Sequence, residues 1–321
     1  MTTIQFQLRQ ATHSDLPAIA ALISEGLSFD GLTIVQTAEE LEEDWGGPYC
    51  FLDQDVVVAE HESHIIGVGY TYFLPSETKE ERCYALGTVK PTFRRKGVGT
   101  ELQQWTTTRA EKLLRSTNRT IPKFLRSDVS TSNTSADFLF KKFNMRPVRW
   151  NEDLIIDLNQ SPEVFVSPGY CVIPWDTSRD EEARVVKNLA FMDHWGSTPT
   201  SEEGWEQLVH GSTAKLDQSF FALDSNNNIV GLLLSHRYES DDETLGKRIG
   251  WIDKLATLSE HRGKSIGRSL ITHALAAYRR DGLTHAALDV DTENPTGAYG
   301  LYTAVGFSTF RGSVTYERII Q

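Results

Sequence analysis

The chain has 321 residues, enough for two domains of ordinary size, and its 39% hydrophobic and 24% charged residues mark a globular composition. A formal net charge of −12, with acids and bases spread through both halves, argues against a nucleic-acid partner, which would need a basic patch. No apolar run approaches the ~20 residues of a membrane span, and Met1-Thr2-Thr3-Ile4-Gln5-Phe6 lacks the features of a signal peptide, so a cytoplasmic protein with no membrane partner is expected.

In chain order the pattern occurs twice. Phe6-Gln7-Leu8-Arg9 alternates like a strand, and Ser14 or Asp15 can cap a helix whose Leu16, Ile19, Ala20, Leu22 and Ile23 recur at helical spacing. Val56–Ala59 and Ile65–Val68 read as a hairpin. The strand Tyr84–Val89 then leads into the loop Arg94-Arg95-Lys96-Gly97-Val98-Gly99-Thr100, and a helix follows through Leu102, Trp105 and Leu113. A strand at Phe124–Val129, a helix and a last strand close the first copy.

The second copy repeats this order. Tyr170–Ile173 precedes a helix through Val185 and Val186, and Phe220–Leu223 and Ile229–Leu232 form a hairpin about Asp224–Asn228. The strand Trp251–Thr257 meets the loop Arg262-Gly263-Lys264-Ser265-Ile266-Gly267-Arg268. A helix burying Leu270, Ile271, Ala274, Leu275 and Tyr278 follows, then a strand at Ala286–Val290. Asn159–Pro162 or Ser167–Gly169 supplies the linker, so domains are expected at 1–160 and 168–321. Two fused copies suggest a monomer with an internal pseudo-dimer.

A basic loop with glycines between a strand and a helix suits an anion. Glycine allows close approach to backbone N–H groups, the helix start adds partial positive charge, and Arg and Lys add point charges. The ligand implied is a pyrophosphate. A dinucleotide fold would want its Gly-x-Gly-x-x-Gly after the first strand; here each loop follows the fourth strand of its copy.

Arg-x-x-Gly-x-Gly, followed by Asn294-Pro295-Thr296-Gly297-Ala298-Tyr299-Gly300-Leu301-Tyr302-Thr303-Ala304-Val305-Gly306-Phe307, resembles the GNAT superfamily of N-acetyltransferases. The resemblance covers each half once, and the layout is similar to that of mycothiol synthases and related tandem GNAT proteins. It implies an α/β fold class: two tandem domains, each a twisted mixed sheet of six or seven strands with helices on both faces. It also implies acetyl-CoA held between splayed fourth and fifth strands, and a small-molecule amine as acceptor.

Direct acetyl transfer needs a deprotonated amine, whose pKa is ~10.4 when it resembles lysine, donors for a developing oxyanion, and an acid for the departing thiolate. The resemblance assigns the acid to Tyr302 and the base, acting through water, to Asp253. It places backbone donors at Leu255, Ala256 and Thr257, and Asn294 near the cofactor. In the first copy Ala85 replaces Asp253 and Phe140 replaces Tyr302, so that copy is expected to bind CoA through Val89 and Arg94–Thr100 or to serve structurally. Its Gly97 stands where the second loop has Ser265, which keeps a phosphate contact if the loop avoids positive φ there. Asp193, His194 and Trp195 are candidates for acceptor recognition. A non-catalytic acyl-CoA sensor and a protein or peptide N-acetyltransferase are the competing readings.

Overall fold

The computed structural model describes residues 4–294 and 297–321, so Met1–Thr3 and the Pro295 and Thr296 of the closing motif lie outside the described residues. The chain divides into two compact units, Met1–Arg149 with Ser313–Gln321, and Trp150–Gly312.

In the first unit, β1 (Gln7–Gln10) leads to α1 (Leu16–Phe29), α2 (Ala38–Gly46) and the short α3 (Leu52–Asp55). β2 (Val56–His61), β3 (His64–Leu74), β4 (Glu81–Val89), α4 (Val98–Ser116), β5 (Lys123–Ser130) and α5 (Thr134–Lys142) follow. β6 (Arg146–Asp157) carries the chain into the second unit, with β7 (Cys171–Pro174), α6 (Asp180–Ala190), α7 (Glu202–His210), β8 (Phe220–Leu223) and β9 (Ile229–Arg237). Then come α8 (Asp242–Leu245), β10 (Ile249–Thr257), α9 (Ile266–Arg280), β11 (His285–Asp291), α10 (Ala298–Val305) and β12 (Ser308–Ile320).

Each unit is a mixed sheet with helices on both faces. The first runs β1-β2-β3-β4-β5 and ends on Ser313–Ile320 of β12. The second runs β7-β8-β9-β10-β11 and ends on Asn151–Asp157 of β6. Each therefore closes on a strand that begins outside it. The division falls inside β6 and β12, not at 160–168, and the reason is strand pairing. Residues past Ser161 are tied down within the second unit: Thr272 Oγ1 accepts from Phe165 N at 3.0 Å, and Arg268 lies over the Phe165 ring at 4.9 Å. Turn-forming composition marks a bend but does not say which sheet the flanking strands join.

The first helix starts differently from its sequence pattern. Asp15 stands at the cap position of α1, but its carboxylate accepts from the Thr12 backbone N–H at 2.8 Å and from Arg9. All five apolar residues expected on α9 are buried against the sheet. Tyr278 can lie flat there because residue 250 is glycine; a Cβ would meet its ring at 2.8 Å. Its hydroxyl donates to Trp251 O at 3.2 Å and is 2.7 Å from Ser235 Oγ. No helix among the described residues is long and apolar enough to cross a membrane.

A parallel pair in each sheet stops early. β4 and β5 part after Tyr84 and Arg126, and β10 and β11 after Ile252 and Leu288. The gap beyond is where each unit holds its cavity.

Candidate active site

The cavity of the second unit measures about 550 Å³ and lies in the gap between β10 and β11. Past the parting point, β10 still pairs with β9 through Lys254–Thr257, and the register slips between Ile252 and Lys254. Asp253 is thus the extra residue of a β-bulge at the start of the gap, a device that re-aims side chains beside a site. Leu255, Ala256 and Thr257 form one wall, the loop at Arg262, Gly263 and Ser265 with Ile266, Gly267 and Arg268 of α9 another, and Asn294 and Tyr302 a third. Lys264 does not reach the cavity; its ammonium sits 6.0 Å over the Tyr170 ring.

Two loop positions are left-handed in both units, and the glycines are exchanged between them. In the second, Gly263 has φ +74° and Ser265 φ +61°; in the first, Arg95 has φ +63° and Gly97 φ +95°. The condition set for Ser265, a loop without positive φ at that position, is therefore not met. Each loop places one side chain where glycine would be relaxed. Gly267, in the first turn of α9, keeps the space open: a Cβ there would meet Leu301 Cδ2 at 3.0 Å.

The arginines that open the loops turn back from them. Arg262 donates to Thr257 O at 3.2 Å and Ala190 O at 2.7 Å. Arg94 donates to Val89 O at 3.1 Å and Gly26 O at 3.3 Å and pairs with Asp30 at 2.5 Å. Both guanidiniums lace the loop to the preceding strand and the end of the first helix, and both also line their cavities. Backbone N–H groups at a helix start are the feature of such a loop that suits an anion.

Asp253 Oδ2 lies 2.9 Å from Lys254 Nζ. Burial pushes the Asp253 carboxyl up, but the charges of Lys254 and His236 outweigh it and hold the group below its ordinary value. His236 is buried on β9, with Nδ1 3.0 Å from Thr213 Oγ1 and Nε2 3.1 Å from Leu208 O, and burial lowers its pKa. Tyr302 is 8% exposed, and burial, with some help from Asp289, raises its pKa, so it stays protonated. Among the described residues its hydroxyl has no hydrogen-bond partner, and it lines the cavity.

The remaining candidates separate. His194 lines the cavity, packed 4.3 Å from the Phe191 ring, whereas Asp193 and Trp195 do not reach it. Asp193 is largely exposed, 3.8 Å from Arg262. Lys254 and Asp289 also line the cavity and were not singled out from sequence; Lys254 could have been, since it directly follows the strand carboxylate.

The first unit has its own cavity of about 420 Å³, lined by Val89, Arg94, Arg95, Gly97, Gly99 and Thr100 among others. Lys96 lies over Phe93 at 4.9 Å and Val98 is fully buried, so neither lines it. Here β4 pairs with β3 without a break through Ala85, and no bulge forms. Phe140, at the place of Tyr302, packs 4.9 Å from Tyr316.

The sequence profile of the Acetyltransferase (GNAT) family matches residues 27–145 and again 187–307. A mycothiol acetyltransferase of Thermobispora bispora is 25% identical over 328 residues, covering 98% of this chain and 100% of its own. One from Salinispora arenicola is 27% identical over 241 residues, 72% of this chain and 71% of its own. The crystal structure of a GCN5-related N-acetyltransferase from Sphaerobacter thermophilus superposes with TM-score 0.77 at 25% identity, covering 99% of this chain and 98% of that one. A tandem GNAT protein from the clavulanic acid biosynthesis pathway shares the fold at TM-score 0.71 and 14% identity, over 99% of both chains. With one match in each half and most of the sequence covered, the chain belongs to the GNAT acetyltransferase family.

Proposed function

We propose that the second unit transfers an acetyl group from acetyl-CoA to the amine of a small-molecule acceptor by direct attack, and that the first unit binds CoA or serves as scaffold. The observation that carries this is Tyr302: a buried, protonated phenol without a protein partner among the described residues, on the same cavity as a bulge carboxylate and a helix-start loop. The first unit has phenylalanine and alanine at the two corresponding places.

The residues fit the cofactor at its anionic end. The loop presents backbone N–H groups at the start of α9, and Gly267 leaves the space that a Cβ would fill against Leu301. Acetyl-CoA, when bound, supplies the activated acyl group. Asp253 accepts a proton from the amine through water, which its depressed pKa permits only as a relay. Backbone N–H groups in Leu255–Thr257 polarise the acyl carbonyl. Tyr302 gives its proton to the departing thiolate. The relatives called mycothiol acetyltransferase support a small-molecule amine over a peptide acceptor.

Calorimetric titration of acetyl-CoA into the wild type, Gly99→Glu and Gly267→Glu tests the assignment, with circular dichroism as the check on folding. Binding lost in Gly267→Glu, together with amine-dependent CoA release that Tyr302→Phe slows by about 10²-fold or more, is the expected result. Binding lost only in Gly99→Glu would move the active cavity to the first unit. No binding in the wild type would end the reading.

A further inference from the structure

We propose that the first unit carries a binding site for an organic ammonium ion, made by Asp44, Tyr70 and Tyr72 on the sheet face beneath α1 and α2. The site takes an alkylammonium as ligand, changes no bond in it, and stands whether or not the second unit transfers acetyl groups.

Register places the aromatic rings. Tyr70 and Tyr72 of β3 lie opposite Leu86 and Tyr84 of β4, and Tyr84 lies opposite Arg126 of β5, so these side chains share one face. Asp128, two residues past Arg126, is on that face too, where it accepts from Thr315 Oγ1 at 2.6 Å. Core residues of α1 and α2 pack against Tyr70 and Tyr72. The Trp45 ring of α2 lies 5.2 Å from that of Tyr70, and the Tyr49 ring 5.6 Å from that of Tyr72. Tyr70, Tyr72 and Tyr84 are nevertheless only half-buried on these inner strands, so the helices leave part of the face open. The cavity of the first unit reaches this face, since Leu86 and Asp128 line it.

The charges on this face favour a cation. Glu80 lies 3.7 Å from Arg82 and 2.7 Å from Arg126, and Glu317 lies 2.8 Å from Arg126, so the two arginines are matched by two carboxylates. Asp44 is not matched: among the described residues its carboxylate makes no hydrogen bond or ion pair, and its charge acts on both Tyr70 and Tyr72. It keeps accessible surface, yet desolvation, reinforced by Glu40 and Glu43, pushes it up to about 6. That combination marks a carboxylate at a recess, where water screens it poorly. The Tyr70 and Tyr72 hydroxyls also lack a hydrogen-bond partner among the described residues, so they can accept from an ammonium. The aromatic faces attract the same charge and cover the alkyl chain. A neutral ligand of equal shape would leave the Asp44 charge unanswered.

The test titrates n-butylammonium chloride and n-butanol, equal in chain length, into the full chain without acetyl-CoA. Binding is read by saturation-transfer NMR at about pH 8, where the amine is cationic and Asp44 ionised. The wild type is expected to bind the ammonium and not the alcohol. In Asp44→Asn the Kd is expected to rise about tenfold. Tyr70→Leu raises it by a similar factor, and Tyr70→Phe, which keeps the ring, by less. Asp44→Asn removes a desolvated charge, so thermal unfolding at or above the wild-type temperature separates lost binding from lost folding. Equal binding of the alcohol, an unchanged Kd in Asp44→Asn, or no binding to the wild type overturns the proposal, and none of these outcomes bears on acetyl transfer in the second unit.

Discussion

Lys254 Nζ sits 2.9 Å from Asp253 Oδ2 on adjacent residues of one bulge, so the carboxylate and its counter-charge are placed by the same distortion of β10. Burial alone would push this carboxyl up, and Lys254 is the leading charge that brings it below 3.8. In Lys254→Met the opposing effect of burial remains, so the Asp253 pKa rises and the acid limb of kcat/KM moves to higher pH. Because the folded-state pKa is depressed, the pair stabilises the fold above the ordinary carboxylate value and loses that contribution as pH falls through the depressed one. Lys254→Met therefore also reduces the acid sensitivity of unfolding. A pH–rate profile that stays in place would remove Lys254 from the site.

Tyr302→Phe is expected to lower kcat by about 10²-fold or more, in the range of general acid catalysis. The acetyl-CoA affinity stays within a factor of two. Folding stability does not fall, because among the described residues the hydroxyl bonds to no protein group and faces the cavity. Kinetics and thermal unfolding of the one variant together separate the chemical role from packing on the core.

Exchanged glycines in the two loops predict opposite signs for similar substitutions. Ser265→Gly and Arg95→Gly relieve side chains held at φ +61° and +63°, and each is expected to stabilise by about 1 kcal/mol. Gly263→Ala and Gly97→Ala put a Cβ into the same strained region and cost a comparable amount. Urea midpoints for the four variants, read by tryptophan fluorescence, decide this.

Arg262 tests bracing against phosphate binding. Removing its bonds to Thr257 O and Ala190 O in Arg262→Met is expected to destabilise by about 1–3 kcal/mol. Salt dependence of acetyl-CoA binding, measured by calorimetry, stays as in the wild type. A flattened salt dependence would show the guanidinium acting on the cofactor after all.

The repeat, the hairpins, the two loops and α9 were legible because each has a periodicity or a turn residue that physics demands. That Tyr302 and Asp253 lie on one cavity was legible through the closing motif and the strand position. The bulge was not, since Ile252-Asp253-Lys254 carries no glycine or other mark of a register slip. Nor were the left-handed Ser265 and Arg95, because a side chain there contradicts the local preference and is held by its surroundings. The direction of an arginine depends on which carbonyls lie near, so the bonds of Arg94 and Arg262 to backbone carbonyls were not legible. One overlooked signal was plain: Thr37 caps α2 by accepting from Glu40 N at 3.1 Å, while Glu40 accepts from Thr37 N at 2.9 Å. Asp193 and Trp195 missed the cavity because proximity in sequence to His194 says nothing about direction at a helix end.

The strand that completes the first sheet, Ser313–Ile320, is separated from the rest of that sheet by the entire second unit. During synthesis the first unit can bury its helices early but must wait, with the outer edge of β5 uncovered, until the second unit has emerged. A nascent chain stalled anywhere inside the second unit is left with that edge open to pair with other chains. Dividing the gene near codon 160 would create the same condition permanently, and would hand the residues that close the second sheet to the wrong fragment.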